Sequence, residues 1–68
     1  GVLYVKIKNK DVKLINISIV DQTGKTILHL EGEDFKGKIN TTNIKSGNYF
    51  IKMELEGGKQ WVRKFVKI

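Results

Sequence analysis

Apolar and polar residues alternate with a period of two along most of this chain. The alternation is clearest at Ile15, Ile17 and Ile19, which are separated by Asn16 and Ser18. A period of two is typical of strands with one buried face, because successive side chains point to opposite sides of a sheet. No stretch of about ten residues shows the 3.6-residue period of an amphipathic helix. The pattern therefore predicts an all-β fold.

Polar and glycine-containing segments divide this pattern into about six short strands. The strands are expected near 3–7, 15–20, 25–30, 38–43, 49–55 and 59–68. Turns are expected at 9–11, 21–24 and 44–47, and a polar loop anchored by Phe35 at 31–37. Gly24 is expected to take the positive φ that closes its turn, and Gly57 and Gly58 to form a two-residue hairpin loop. Strands of this length and spacing predict a small antiparallel sandwich or barrel.

The length of the chain, 68 residues, predicts one domain, 1–68, with one small core. The sequence contains no cysteine, which excludes disulfide bonds and thiolate zinc sites. It also contains no proline. No apolar run approaches the ~20 residues that cross a bilayer, and none resembles a signal peptide. Because the alternation begins at the first residues, we expect the chain to be a fragment of a longer protein.

Lysines give the chain a net charge of +6 and cluster toward its two ends. The first group is Lys6, Lys8, Lys10 and Lys13, and the last is Lys59, Arg63, Lys64 and Lys67. All but one of the 13 cations are lysine, whereas base-edge and bidentate phosphate contacts favour arginine, so no nucleic acid is expected as a partner. Solubility and the protection of edge strands account for the lysines. If the first and last strands are neighbours, the two groups would instead form one basic face for an acidic partner.

Side chains that support catalysis or metal binding are few and scattered. A nucleophile could come from Ser18 or Ser46 and a base from His29, but His29 alternates with leucines as an ordinary strand residue does. An acidic run comprises Glu31, Glu33 and Asp34. This run lacks the spaced oxygen ligands of a calcium loop. We expect no catalytic residue, no metal and no cofactor.

Trp61, Arg63 and Phe65 share one face of the last predicted strand. They could form a stacking platform for sugar rings or single-stranded nucleic acid. The alternative is that the rest of the fold covers this face, or that Arg63 lies over Trp61 as a cation–π pair. The opposite face also carries apolar residues, namely Val62, Val66 and Ile68. Both faces of this strand are therefore expected to be partly covered.

Three segments occur in an order more specific than any one of them. The first is ISIVDQTGKTI (17–27), a strand, a D-x-x-G-K turn and a returning strand. The second is INTTNIKSGNYFIK (39–52), and the chain closes on KFVKI (64–68). Together they resemble the type A C-terminal sorting domain of the type IX secretion system of Bacteroidota, over essentially the whole chain. Asn40 and Ile44 stand where the family has Asp and Leu, and the Pro-Asn-Pro stretch that usually opens the family is absent from this sequence.

This resemblance implies an immunoglobulin-like β-sandwich of about six to seven strands at the C-terminus of a secreted cargo protein. It implies a non-catalytic sorting signal, read by secretion machinery at the outer membrane after the cargo has crossed the periplasm. A sortase-like peptidase then often removes the domain, and the cargo stays at the cell surface or is secreted. The alternative class is a surface adhesion or carbohydrate-binding module that uses Trp61 and Phe65. Exposed edge strands also leave a dimer open.

The resemblance also assigns roles to single positions. Those that match the family's motifs are Gly24, Lys25, Ile44, Gly47, Tyr49, Lys52, Lys64, Val66 and Lys67. Recognition by the secretion machinery is assigned to Gly47, Tyr49, Lys52, Lys64, Phe65, Val66 and Lys67, and turns to Gly24, Lys25, Gly57 and Gly58. We expect Tyr49 to anchor the core and Lys64 and Lys67 to be exposed. A receptor could then read the last strand by edge pairing and side-chain pockets.

Overall fold

The computed structural model of the chain describes residues 1–7 and 11–68, which form six β-strands and two short 3₁₀ turns. The strands are β1 (Val2–Tyr4), β2 (Leu14–Asp21), β3 (Thr26–Glu31), β4 (Lys38–Asn40), β5 (Gly47–Leu55) and β6 (Lys59–Lys67). One 3₁₀ turn, Gly32–Asp34, follows β3, and the other, Glu56–Gly58, joins β5 to β6. The all-β prediction is confirmed.

Two antiparallel sheets make a sandwich-like arrangement. The larger sheet has four strands in the order β3-β2-β5-β6, and the smaller pairs β1 with β4. The first and last strands are therefore not neighbours within a sheet, so the condition for one basic face built from both ends of the chain is not met. Lys8 and Lys10, which belonged to that hypothesis, lie outside the described residues.

The core lies between the sheets and is centred on two isoleucines of β2. Ile17 and Ile19 are each 0% exposed, and their neighbours across the β2–β5 ladder are Met53 and Ile51. Ile39 of β4 closes the core from the smaller sheet. Burying one such side chain stabilises the fold by about 1.5–3 kcal/mol. The strongest alternation in the sequence thus marks the most buried strand, because β2 is covered by a strand on each edge and by the second sheet on one face.

The turn between β2 and β3 is held by one carboxylate. Oδ1 of Asp21 accepts hydrogen bonds from the Thr23 hydroxyl at 2.6 Å and from the backbone N–H groups of Thr23 and Lys25, each at 2.9 Å. These donors, the Thr23 hydroxyl first, lower the pKa of Asp21. Gly24 has φ of 89°, a conformation that a residue with a Cβ rarely adopts. The turn predicted at Gly24 and Lys25 is confirmed.

Two strands are shorter than the sequence predicts. β1 ends at Tyr4, although the Val5 N–H still reaches the Gly37 carbonyl at 3.0 Å. β4 ends at Asn40 because its side chain accepts the Thr42 N–H at 3.0 Å, which folds the chain into a turn. Of the turn predicted at 9–11, only Asp11 lies within the described residues, and it is in a turn.

The loop between β5 and β6 has three residues rather than two. Leu55 and Lys59 are still paired across the ladder, so Glu56, Gly57 and Gly58 form the connection. Both glycines have positive φ, 84° and 79°. The additional residue is fixed by a reciprocal contact, since the Glu56 N–H donates to the Lys13 carbonyl at 2.9 Å and the Lys13 N–H donates to Oε1 of Glu56 at 3.1 Å. The prediction of a two-residue loop is wrong, because this contact with a distant segment could not be seen in the local sequence.

Candidate functional site

All seven positions assigned to recognition lie on the β5–β6 hairpin, residues 47–67, and several face one another across its ladder. Gly47 pairs with Lys67, and Tyr49 pairs with Phe65. Lys52, Lys64 and Val66 pair with residues outside the assigned set, namely Val62, Phe50 and Asn48. Neighbours across an antiparallel ladder lie on the same face of the sheet. The assigned residues therefore separate into a core-facing set and an outward-facing set.

The core-facing set begins with an aromatic pair. Tyr49 is buried and its ring centroid lies 6.0 Å from that of Phe65, which is half-buried. The Tyr49 hydroxyl donates to the Lys45 carbonyl at 2.6 Å. This bond resembles the tyrosine corner of immunoglobulin-type sandwiches, in which a tyrosine early in a strand bonds to backbone a few residues upstream. The expectation that Tyr49 anchors the core is confirmed.

Gly47 opens this corner. It is the first residue of β5 and has φ of 154°, within the range that favours glycine. The chain turns here between the buried Ile44 and the buried Tyr49. The motif S-G-x-Y therefore describes a corner of the backbone, in which Tyr49 is buried and Ser46 and Asn48 are exposed.

Lys67 ties the last strand to the smaller sheet. Its ammonium group donates to the carbonyl of Thr41 at 3.1 Å and to the hydroxyl of Thr41 at 3.3 Å. Thr41 is only 3% exposed, and its own N–H donates to the Gly1 carbonyl at 2.9 Å. Lys67 is itself half-buried. The expectation that Lys67 is exposed is wrong, because burying Thr41 calls for a partner that this lysine provides.

The outward-facing set is exposed, as expected for Lys64. Lys64, Lys52 and Val66 all lie on the face of the larger sheet that points away from the core. Val62 and Val66 are 51% and 54% exposed, and Ile68 beyond the strand is fully exposed. The expectation that both faces of β6 are partly covered is therefore wrong for this face. The smaller sheet has only two short strands and covers only one side of the larger one.

Trp61 and Arg63 belong to the covered face of β6. Trp61 and Phe65 pack against the core cluster, and the Arg63 guanidinium carbon lies 4.6 Å from the centroid of the Trp61 ring. This is the geometry of a cation–π pair. Both rings are half-buried and Arg63 is exposed, so this face is partly covered and does not present both rings as an open stacking platform.

Ser18, His29 and Glu31 form a hydrogen-bonded line that the sequence did not reveal. The Ser18 hydroxyl lies 2.8 Å from Nδ1 of His29, and Nε2 of His29 lies 3.2 Å from Oε1 of Glu31. Ser18 and His29 are paired across the β2–β3 ladder, which brings their side chains together. The sequence could have predicted this contact if the strand register after the turn at Gly24 had been known.

The Ser18 line has the order of a nucleophile, base and acid but lacks an oxyanion site. Ser18 lies in the interior of β2, which is paired on both edges, with His29 on one side and Lys52 on the other. Its neighbouring backbone N–H groups are committed to the sheet, so they cannot stabilise an oxyanion. The line also lies on an exposed surface. It serves as a set of cross-strand contacts on the open face.

Neither a metal centre nor a membrane span is found in the described part of the chain. Across residues 1–7 and 11–68, no three His, Cys, Asp or Glu side chains are placed to hold a metal ion. Glu33 and Asp34 lie in the 3₁₀ turn after β3, with Glu31 just before it. Within the same ranges, no helix has the length and apolar character needed to cross a bilayer.

Comparison with known families assigns the chain as a whole. A family model described as the secretion system C-terminal sorting domain matches residues 1–68. No curated protein and no solved structure matches the chain. The match confirms the resemblance drawn from the segments around Gly24, Tyr49 and Lys64. The chain, with its all-β sandwich, belongs to the C-terminal sorting domains of the type IX secretion system.

Proposed function

We propose that residues 1–68 act as one non-catalytic module that directs an attached cargo protein through the type IX secretion system. The family match over residues 1–68 carries this proposal. The sandwich of two antiparallel sheets supplies the folded module that this proposal needs. A folded module of this kind acts by being recognised.

The proposed route has three stages. The cargo crosses the inner membrane to the periplasm, outer-membrane secretion machinery then recognises the module, and the cargo passes to the cell surface or the medium. A sortase-like peptidase removes the module from the exported cargo. The machinery and the peptidase are the proposed partners, and no nucleic acid is among them.

The geometry supports a division of labour among the assigned residues. Lys52, Lys64 and Val66 are exposed on one face and available to a partner. Their core-facing neighbours, Tyr49 and Phe65, hold the hairpin in shape through their mutual packing. We assign direct recognition to the exposed set and presentation of the hairpin to the core-facing set.

The structure gives the carbohydrate-binding alternative no specific support. That alternative needs Trp61 and Phe65 on an open surface, and both pack against the core cluster. A sugar ring would have to displace Arg63, which already lies over the indole. A dimer through edge strands stays a prediction.

A secretion assay tests the proposal. Residues 1–68 are fused behind a periplasmic reporter in a type IX-competent host and in a matched strain that lacks the secretion system. We expect the reporter outside the cell only in the competent host. Removing residues 64–68 should abolish export, but this truncation also removes Phe65 and Lys67, which stabilise the fold.

A surface variant separates recognition from folding. Replacing Lys64 by Glu and Val66 by Thr changes only exposed positions, so folding should persist while export falls. The matched control is Lys38→Glu, on the smaller sheet. Export of the truncated fusion at the level of the intact one would contradict the proposal, as would export that is equal in both hosts.

A further inference from the structure

β6 is an edge strand with one unpaired side. It is nine residues long and pairs with β5 without a register shift from Gly47–Lys67 to Leu55–Lys59. Within the described ranges, no strand pairs with its other side. A regular edge of this length presents a row of unpaired N–H and C=O groups, which is a template for one further strand.

The opposite edge of the same sheet is built differently. β3 has six residues, and its pairing with β2 shifts between Ile19 and Val20. A bulge of this kind twists an edge away from further pairing. β3 also carries His29 and Glu31, whose side chains already bond to each other. Of the two edges, β6 is the longer and has no register shift, and its cations protect it against a basic strand but not against an acidic one.

The outer surface beside β6 is apolar with cations at regular places. Along this face the residues of β6 alternate with the core-facing ones, giving Gln60, Val62, Lys64 and Val66. Lys52 lies across the ladder from Val62, and Phe50 lies across from Lys64. Shallow cavities that share Val20, Lys52 and Val62 run beside this row. The surface therefore offers apolar contact on both sides of a central ammonium group.

Charge selects the kind of strand that this edge accepts. β6 contains Lys59, Arg63, Lys64 and Lys67 and no acidic residue. Arg63 is occupied by Trp61 and Lys67 by Thr41, whereas Lys64 has no acidic partner in the part of the chain described. A second β6 would double the cations at the contact without adding an acid. Electrostatics thus disfavours self-pairing and favours an acidic strand.

We propose that the open edge of β6 binds an extended acidic segment of another protein, which adds to the larger sheet as a fifth strand. On the outer face the segment places a carboxylate opposite Lys64 and apolar side chains opposite Val62 and Val66. Because residues on one face are two apart, the segment reads apolar-x-acidic-x-apolar. Backbone hydrogen bonds supply affinity and these alternate side chains supply specificity. The inference deepens the proposed function, since it names the surface through which a sorting partner would read this module.

A binding experiment on the purified 68-residue chain tests the proposal without any secretion. The probe is the capped peptide Asp-Thr-Val-Thr-Glu-Thr-Val-Thr-Asp, and the control peptide has lysine in place of each acidic residue. The single tryptophan, Trp61, lies on β6 and reports binding by fluorescence. Amide hydrogen exchange locates the contact. We expect saturable binding of the acidic peptide alone, with added protection of β6 amides and none at β3.

Two charge-matched variants place the contact. Lys64→Glu should weaken binding of the acidic peptide about tenfold or more, because it replaces an attraction with a like-charge pair. Lys38→Glu makes the same change of net charge on an exposed position of β4 and should leave the affinity within about twofold. Circular dichroism verifies that both variants fold.

Several outcomes would overturn the proposal. Sedimentation of the chain alone as a dimer that Lys64→Glu dissociates would make a second copy the occupant. Binding to phosphatidylglycerol vesicles with no effect of the acidic peptide on β6 exchange would make the occupant a membrane. Equal affinity for both peptides, or protection at β3, would also refute it. Loss of export with intact peptide binding would instead contradict the sorting function, so the two proposals can fail separately.

Discussion

The two faces of β6 carry similar residues and use them differently. The core-facing side has Trp61, Arg63, Phe65 and Lys67, and the outer side has Val62, Lys64 and Val66. Each side combines apolar groups with cations. On the core-facing side every one of these groups has a partner, in the core cluster, on the indole or at Thr41. On the outer side Lys64 and the valines stand open to solvent.

This difference shows that one family motif contains both residues that pack against the fold and residues that are exposed to solvent. The segment KFVK (64–67) contains one apolar and one cationic residue of each face. Phe65 and Lys67 attach the strand to the rest of the fold, whereas Lys64 and Val66 are exposed on its outer face. Matching substitutions on the two faces should therefore separate stability from recognition.

The largest expected difference in the free energy of unfolding is between substitutions of the apolar residues Phe65 and Val66. Phe65→Ala removes a ring that packs against Tyr49 and should lower the free energy of unfolding by about 2 kcal/mol, less than for a fully buried ring because Phe65 is half-buried. Val66→Ala should change it by less than about 0.5 kcal/mol. Urea denaturation measures both. Equal losses would mean that the outer face is covered after all.

The next largest difference in the free energy of unfolding is expected between substitutions of Lys67 and Lys64. Lys67→Met keeps the aliphatic stem but leaves the buried Thr41 hydroxyl without its donor, which should cost about 1 kcal/mol. Lys64→Met removes no contact and should have little effect on the free energy of unfolding. The same urea titrations compare them. A stability loss at Lys64 as large as at Lys67 would contradict the division between the faces.

Arg63 offers a smaller test of the core-facing side. Arg63→Gln removes the charge that lies over Trp61 and should cost about 0.5 kcal/mol, the value for an exposed cation–π pair. Trp61 fluorescence should change with it, since the group over the indole is lost. Lys59→Gln, at the start of the same strand, is the control. An unchanged spectrum and unchanged stability would show that the pair does not form.

The smallest effect is expected away from β6, at the first hairpin. The pKa of Asp21 is lowered in the folded chain by its hydrogen bonds, the Thr23 hydroxyl first. The folded state therefore prefers the carboxylate, so this contribution to stability is complete above about pH 4, the ordinary value for Asp, and is lost as the pH falls through the lowered pKa. Asp21→Asn should flatten the acid side of the stability profile. Identical profiles for the two chains would remove Asp21 from this role.

Sequence reasoning succeeded where local chemistry determines the structure. The alternation at Ile17 and Ile19 predicted the core strand, and the D-x-x-G-K pattern predicted a turn that Asp21 and Gly24 do form. These features depend on residues close together in the chain. The family and the fold class followed from the order of such features.

Sequence reasoning failed where a contact between residues far apart in the chain determines the structure. Alternation gives the two faces of β6 but cannot say which one is inward when both carry apolar groups and cations. The contact of Lys67 with Thr41 spans 26 residues, and the contact that lengthens the loop after β5 joins Lys13 to Glu56. The Ser18–His29 contact needs the strand register as well as the residue types. Each of these depends on how the sheets pack.

The bonds at Thr41 also have a mechanical consequence. Thr41 receives Lys67 through its side chain and carbonyl, and its N–H holds the Gly1 carbonyl, so both ends of the fold meet at one residue. A Cβ at Gly1 would lie 3.2 Å from the Lys67 ammonium. Tension on a chain attached ahead of Gly1 would thus be passed through Thr41 to the end of β6. A partner that binds β6 would therefore hold the module at the same end as a chain attached ahead of Gly1.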